Sequence, residues 1–441
     1  MVDLTPSLRV PSFSRPASVL RDYAGARKFS RQIVLTYCGI FYLIPFVIFM
    51  VIGNPLEIFM VPTPSYWAGI SFVAMAVLLF YWASALPVLR LDLPRIGISA
   101  FLFGANSSLV LSIFFAGFAY WSRSFLGLSF RQSGVSLADV GAIGFLLEVL
   151  KMTLGVMIIV HYRMISEKCE ARRRTAALLF TALGFFFSIQ GAFDIFFVFC
   201  ALVATGLKWR RFFGLHLKIV RRLTIVAFPI LGFLALFVGT ANKVGVEQAL
   251  IALSNIEQIS NLVIGRIGYH FYSTSIHATD NFTNFNMAAQ AFSELASVTH
   301  YRMSAFFGFG GVEKPDVGTI SRMNFLYMSP EYHPRIGASP SMLGSVFFWP
   351  GAGFAIIYYV FIMRFVLFTM WDIIGSLGKN WAFTIFCMIL LGSVLDASVD
   401  TLNPFSHGAV RLVFLILGAR FVTQRLKQKH MRSHAISSST G

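Results

Sequence analysis

Three pairings of a guanidinium with an imidazole fall between residues 242 and 340: Arg266 with His270, His300 with Arg302, and His333 with Arg335. The first pair is spaced four apart, so on a helix both side chains share one face. An imidazole can take a proton near neutral pH. An arginine fork fits phosphate oxygens and stabilises a phosphate as it departs. Together they suit a transfer in which a hydroxyl loses its proton while a phosphate leaves. The plainer reading is that these are scattered surface or interfacial residues. Four of the chain's nine histidines lie in this stretch.

Ser339, Pro340 and Ser341 follow Arg335 closely. Ser339 suits an N-cap, and Pro340 suits the first helical position. A helix beginning near Ser341 would offer free N–H groups and about half a positive charge to an anion. Pro350, Gly351 and Gly353 would kink or loosen that helix and open a groove for a lipid chain. The alternative is an ordinary helix cap beside an arginine that snorkels to headgroups. Arg411 either pairs with Asp396 or Asp400, or reaches a phosphate from the opposite wall. The acidic residues of the stretch (Glu247, Glu257, Asp280, Glu294, Glu313, Asp316 and Glu331) are dispersed, so no metal and no cofactor is expected.

The elements that must hold these residues are set by composition. The chain is 56% hydrophobic and only 12% charged, with a mean hydropathy of +0.72. Repeated apolar stretches approach the roughly 20 residues that cross a bilayer. The expected fold is an all-α polytopic membrane protein of about 10 transmembrane helices (range about 9–12). The spans read as 33–52, 66–87, 97–120, 138–161, 176–190, 192–207, 223–240, 341–363, 381–398 and 406–423. Residues 1–32 form a basic, Ser/Pro-rich tail, expected to be disordered and cytoplasmic; 424–441 form a second basic tail. The first seven spans occupy 33–240, a long external loop 241–340, and the last three spans 341–423. The pair 176–190 and 192–207 reads as a tight hairpin, and residues 364–380 as an interfacial helix.

The net charge of +17 does not imply nucleic acid. Lys and Arg gather in the tails, in "SEKCEARRR" and in "KWRRFFGLHLKIVRR", whereas the short external loops carry Arg123 and Arg131. This is the positive-inside bias, and it places both termini in the cytoplasm. The excess charge therefore reports topology and contact with membrane lipids. The four cysteines offer neither a disulfide framework nor metal spacing. Inside the fourth span, Glu148 and Lys151 are either functional or a neutralising ion pair. The long loop is too aromatic and too evenly charged for a solvated tail. It reads as a layer of interrupted helices: an amphipathic one from Val246 to Ile267, a second short one at "NMAAQAFSELAS", and a mobile, glycine-rich break at "FFGFGGVEKPD".

The long loop before a late span, Arg266 early in it, and "RIGASPSMLGSVFFWPGAGFAIIY" with Gly351 and Gly353 resemble the Wzy-type oligosaccharide repeat-unit polymerases of bacterial polysaccharide synthesis. The likeness runs loosely over residues 176–363. It departs at "SIQGAFD", where Gln190 and Asp194 stand and the family often carries an arginine. The resemblance implies a GT-C-like membrane glycosyltransferase in the bacterial inner membrane, polymerising O-antigen or exopolysaccharide at the periplasmic face. Its substrates would be polyprenyl-pyrophosphate-linked oligosaccharides, its partners a flippase and a chain-length regulator. Arg335 and Arg266, with Arg302 in reserve, would hold the pyrophosphate beside Ser339, Ser341 and Arg411. His333 or His300 would be the base. An O-antigen ligase shares the plan, and a lipid-linked oligosaccharide flippase or other transporter is a different class that would show inverted repeats.

Overall fold

The computed structural model describes residues 17–53, 65–86, 104–127, 140–166, 170–189, 230, 232–234, 236–241, 245–280, 285–309, 311–329, 339–349 and 351–377. Among these residues every regular element is helical. Three stretches are long and apolar enough to cross a membrane: Ala24–Ile52, Tyr66–Ala83 and Ala352–Trp371. The expected spans at 192–207, 381–398 and 406–423, most of 223–240, and the 424–441 tail lie outside the described residues.

The first stretch comprises α1 (Ala17–Cys38), a π-helical turn (Gly39–Leu43) and α2 (Ile44–Ile52). Pro45 explains the turn. Its ring would clash with the carbonyl four residues back in a regular helix. Widening the turn, so that the Ile44 N–H reaches the Gly39 carbonyl, relieves that clash. The expected tail is shorter than read: the chain is helical from Ala17, with Ala26, Phe29 and Ile33 recurring on one buried face. Phe29 packs its ring 5.3 Å from Trp371.

The second stretch, α3 (Tyr66–Ala83), is capped by Ser65, whose side chain accepts the Ala68 N–H. Two arginines from other helices meet its carboxyl end, where helix carbonyls carry partial negative charge. Arg31 donates to the Tyr81 carbonyl at 3.0 Å and to Ser84 Oγ at 2.9 Å, and Arg364 donates to the Leu86 carbonyl. Next come α4 (Ala105–Phe125), α5 (Gly141–Ser166) and α6 (Ala171–Phe187), three helices packed on one another.

The stretch read as a loop is folded. It holds α7 (Val246–Ser254), α8 (Ile256–Asp280), α9 (Phe285–Phe307) and α10 (Ile320–Met328). The expected single amphipathic helix breaks at Asn255, whose side-chain oxygen accepts the Glu257 N–H at 2.9 Å and starts α8. The expected short helix at 286–297 is part of the 23-residue α9. The glycine-rich break falls between α9 and α10, where Gly308 and Gly311 adopt positive φ.

The chain then forms α11 (Ser341–Ser345), a 3-10 turn (Val346–Phe348) and α12 (Ala352–Leu377). One expectation is met here and one is corrected. The span read as 341–363 is broken ahead of Ala352, with Gly351 at φ +81°, a conformation glycine adopts without strain. The supposed interfacial helix at 364–380 continues α12 through Leu377. Arg364 made that stretch look peripheral. Its charge is met inside the fold by the Leu86 carbonyl and by the Phe368 ring, 5.3 Å away.

Candidate functional site

The site is built around α8. From His270 to His277 every residue is buried, so this helix is enclosed on all sides for two turns. One flank crosses α3 very closely. A Cβ at Gly69 would lie 2.9 Å from Ser275 Cα, so only glycine permits this approach. Phe49 of α2 and Tyr66 of α3 close over Phe271. The helix absorbs several of its own hydroxyls: Thr274, Ser275 and Thr279 donate to carbonyls four residues back at 2.7–2.8 Å.

The other polar groups of α8 reach across to different elements. His270 donates from Nδ1 to the Ser339 carbonyl at 3.0 Å. Since the acceptor is a carbonyl, Nδ1 must carry the proton. The Ser339 side chain accepts the Ser341 N–H at 3.3 Å, but the helix starts one residue later than expected, with Pro340 in the cap position and Ser341 first in the helix. Two turns on, His277 Nε2 donates to Asn324 Oδ1 at 2.8 Å, and Ser273 Oγ donates to the same oxygen at 2.7 Å. His277 and Asn324 are 0% exposed. The His277 ring is boxed by Tyr327 and Phe348, with centroids at 5.1 and 4.9 Å.

Ser341 is held in a left-handed conformation, φ +60°, which is uncommon for a residue with a Cβ. Such backbone costs on the order of 1–3 kcal/mol and persists only where its surroundings impose it. Its Oγ hydrogen-bonds the hydroxyl of Tyr42, which sits in the π-helical turn. Two irregular backbones, 299 positions apart, therefore meet through one pair of hydroxyls. An apolar pocket lies alongside, lined by Cys38, Ala76, Val360 and Met363 from the three long apolar stretches and by Met342 and Leu343. Residues 341–343 thus sit near the middle of all three, where an irregular backbone needs protein around it.

Of the residues expected to do chemistry, Ser339 and Ser341 are brought to α8. Arg266 lies on α8 one turn before His270. His300 and Arg302 lie on α9, exposed and half-buried respectively. That helix packs against α5, with the Ala305 carbonyl over Gly141, and also against the 3-10 turn and α10. His333, Arg335 and Arg411 lie outside the described residues. The expected anion seat is corrected: α11 has five residues, and Ser341, 0% exposed, points its hydroxyl at Tyr42. Sequence reading passed over His277 and Asn324. The signal was present: Arg266, His270, Ser273 and His277 are spaced four, three and four apart, one polar stripe on a helix.

Glu148 and Lys151 are both 0% exposed on α5. Lys151 donates to the Ser188 carbonyl at 2.8 Å, at the carboxyl end of α6. Arg174, near the start of α6, is buried between Glu170 Oε2 at 3.4 Å and His161 Nδ1 at 3.5 Å. Among the described residues, no group of three or more His, Cys, Asp or Glu side chains is arranged to hold a metal ion. No family model, curated protein or solved structure matches this chain.

Proposed function

We propose that this chain is an inner-membrane glycosyltransferase that polymerises polyprenyl-pyrophosphate-linked oligosaccharides into a surface polysaccharide at the periplasmic face. The observation that carries the reading is the 3.0 Å bond from His270 to the Ser339 carbonyl. It joins the helix bearing Arg266 to Ser339, four positions beyond Arg335 in the sequence. The sense of the membrane agrees with this. Arg31 and Arg364 gather at the carboxyl end of α3, whereas α8 meets the other end, where the Ser65 N–H donates to Thr279 Oγ1 at 3.2 Å. Cations at one end of α3 and the carboxyl end of α8 at the other fit a cytoplasmic and an external face. The full count of about 10 spans and the GT-C-like plan belong to this proposal.

In the reaction, the terminal sugar hydroxyl of a new repeat unit attacks the anomeric carbon of the growing chain. The bond from that carbon to the pyrophosphate breaks, and polyprenyl pyrophosphate leaves with the electron pair. Arg335 and Arg266 balance the charge of the leaving group; His333 or His300 takes the hydroxyl proton. A second reading, transport of the lipid-linked sugar, is favoured by one observation. The break at 341–351 lies beside the middle of three apolar helices, as the discontinuous helices of transporters do.

A deletion strain's surface glycan separates the readings on a gel. Loss of the polymerase leaves single capped repeats. Full-length polymer that stays unattached to its acceptor would point to a ligase, and repeats retained on the cytoplasmic leaflet to a transporter.

A further inference from the structure

The apolar pocket between the three long stretches ends in cations. On each stretch, the face that lines the pocket carries a polar residue one or two turns toward the carboxyl end of α3. In α1, Arg31 stands three before Val34 and seven before Cys38. In α3 and its cap, Ser84 stands four after Phe80 and seven after Val77; in α12, Arg364 stands four after Val360. Residues at these spacings share a helix face. The polar ends converge. Arg31 donates to Ser84 Oγ and to the Tyr81 carbonyl and lies over the Tyr81 ring, 4.6 Å from its centroid, while Arg364 reaches the Leu86 carbonyl. Lys28, exposed, stands three positions before Arg31 on α1.

Capping α3 takes only part of the Arg31 fork. Arg31 is half-buried, and among the described residues its partners are a hydroxyl, a carbonyl and a ring, so no full negative charge meets it there. Positive charge beside an apolar pocket, between helices apolar enough to cross a membrane, has the polarity of an anionic lipid. A zwitterionic lipid would gain little from the cations, and a free phosphate nothing from the pocket.

We propose that this seam binds an anionic phospholipid, its phosphate on Lys28 and Arg31 and one acyl chain along the pocket between α1, α3 and α12. The site is independent of the polymerase reading, and it lies toward the end of α3 opposite the Ser65–Thr279 contact with α8.

The test is lipid binding by the full chain in detergent, titrated with phosphatidylglycerol and with phosphatidylethanolamine and read by native mass spectrometry. The wild type should bind phosphatidylglycerol more tightly. One basic residue near a membrane surface strengthens binding to anionic lipid about fivefold. Lys28→Gln and Arg31→Gln should each lower phosphatidylglycerol affinity by about that factor and leave phosphatidylethanolamine unchanged, whereas Arg31→Lys should keep the preference. Loss of a mere helix cap would instead lower thermal stability alike in both lipids. Lys28 is exposed, so its exchange leaves the fold intact. Val77→Phe fills the pocket without removing a charge, and it should weaken phosphatidylglycerol binding too. Equal wild-type affinity for the two lipids, a preference unchanged in both Gln variants, or full binding by Val77→Phe overturns the site. So does displacement of the lipid by inorganic phosphate or by the chainless headgroup glycerophosphoglycerol, which would make it a free-phosphate site.

Discussion

Two regions of this molecule bury polar groups among helices, and they do so differently. In α4–α6 the bonds stay within one group of three helices, running along a helix, between two of them or to a helix end. Lys151 closes the carboxyl end of α6, Arg174 is met by Glu170 and His161, and Ser112 Oγ donates to the Ser108 carbonyl and accepts from Thr181. The left-handed non-glycine residue described there, Glu170 at φ +49°, meets Arg174 four positions away. Around α8 the partners come from remote parts of the chain, Tyr42 with Ser341 and His270 with Ser339, and the backbone at the meeting point is a π turn on one side and a left-handed serine on the other. A charge buried in an apolar bundle is therefore a weak sign of function by itself. Remote polar partners that impose strained backbone are a stronger one, because no helix needs them for its own hydrogen bonding.

This contrast can be broken by substitution. The largest effect should come from Arg335→Ala, which lowers turnover about a hundredfold, the usual scale for one leaving-group contact. The test is polymer yield at equal protein level in the membrane; full polymer length and amount would remove Arg335 from the site. Lys151→Met comes next. It should lower stability by about 1.5–3 kcal/mol, the range for a hydrogen bond made by a charged group, and leave pyrophosphate affinity unchanged. A drop in affinity without a drop in melting temperature would place Lys151 in the functional region instead.

Tyr42→Phe should cost about 0.5–1.5 kcal/mol, one net hydrogen bond, and also weaken pyrophosphate binding, because Ser341 loses the partner that holds its backbone. If thermal unfolding shifts and binding does not, the hydroxyl pair is only structural. The smallest effect belongs to Thr181→Val, a shape-conserving change within α4–α6, with about 1 kcal/mol or less on stability and none on binding. Equal effects of Tyr42→Phe and Thr181→Val on binding would erase the contrast between the two regions.

Much of the helical framework was legible from apolar runs, and so was the break near Gly351, since glycine and proline punctuate a helix whatever surrounds them. The central helix α8 was read only in part. Its amphipathic pattern is clear up to Ile267, but its most buried turns carry Ser, Thr and His, which look like loop residues until their hydroxyls are seen to bond back to the helix. His277 was missed because only histidines beside an arginine were singled out, and its meaning lies in the spacing from His270 and in the acceptor on α10. Arg364 misled for the converse reason. A cation normally ends an apolar helix, and only the fold reveals the Leu86 carbonyl that lets it stay inside.

The central claim is that the chain leading into Ser341 meets a lipid diphosphate outside the cytoplasm, with α8 at its back. The most direct test is labelling of an Ala338→Cys variant, in a background where Cys38, Cys169, Cys200 and Cys387 are replaced, by a thiol reagent that cannot cross the inner membrane. Modification in intact cells, and its suppression by added polyprenyl pyrophosphate, is the expected result. A cysteine there that reacts only once the cells are broken open would contradict the assigned face, and the polymerase reading with it.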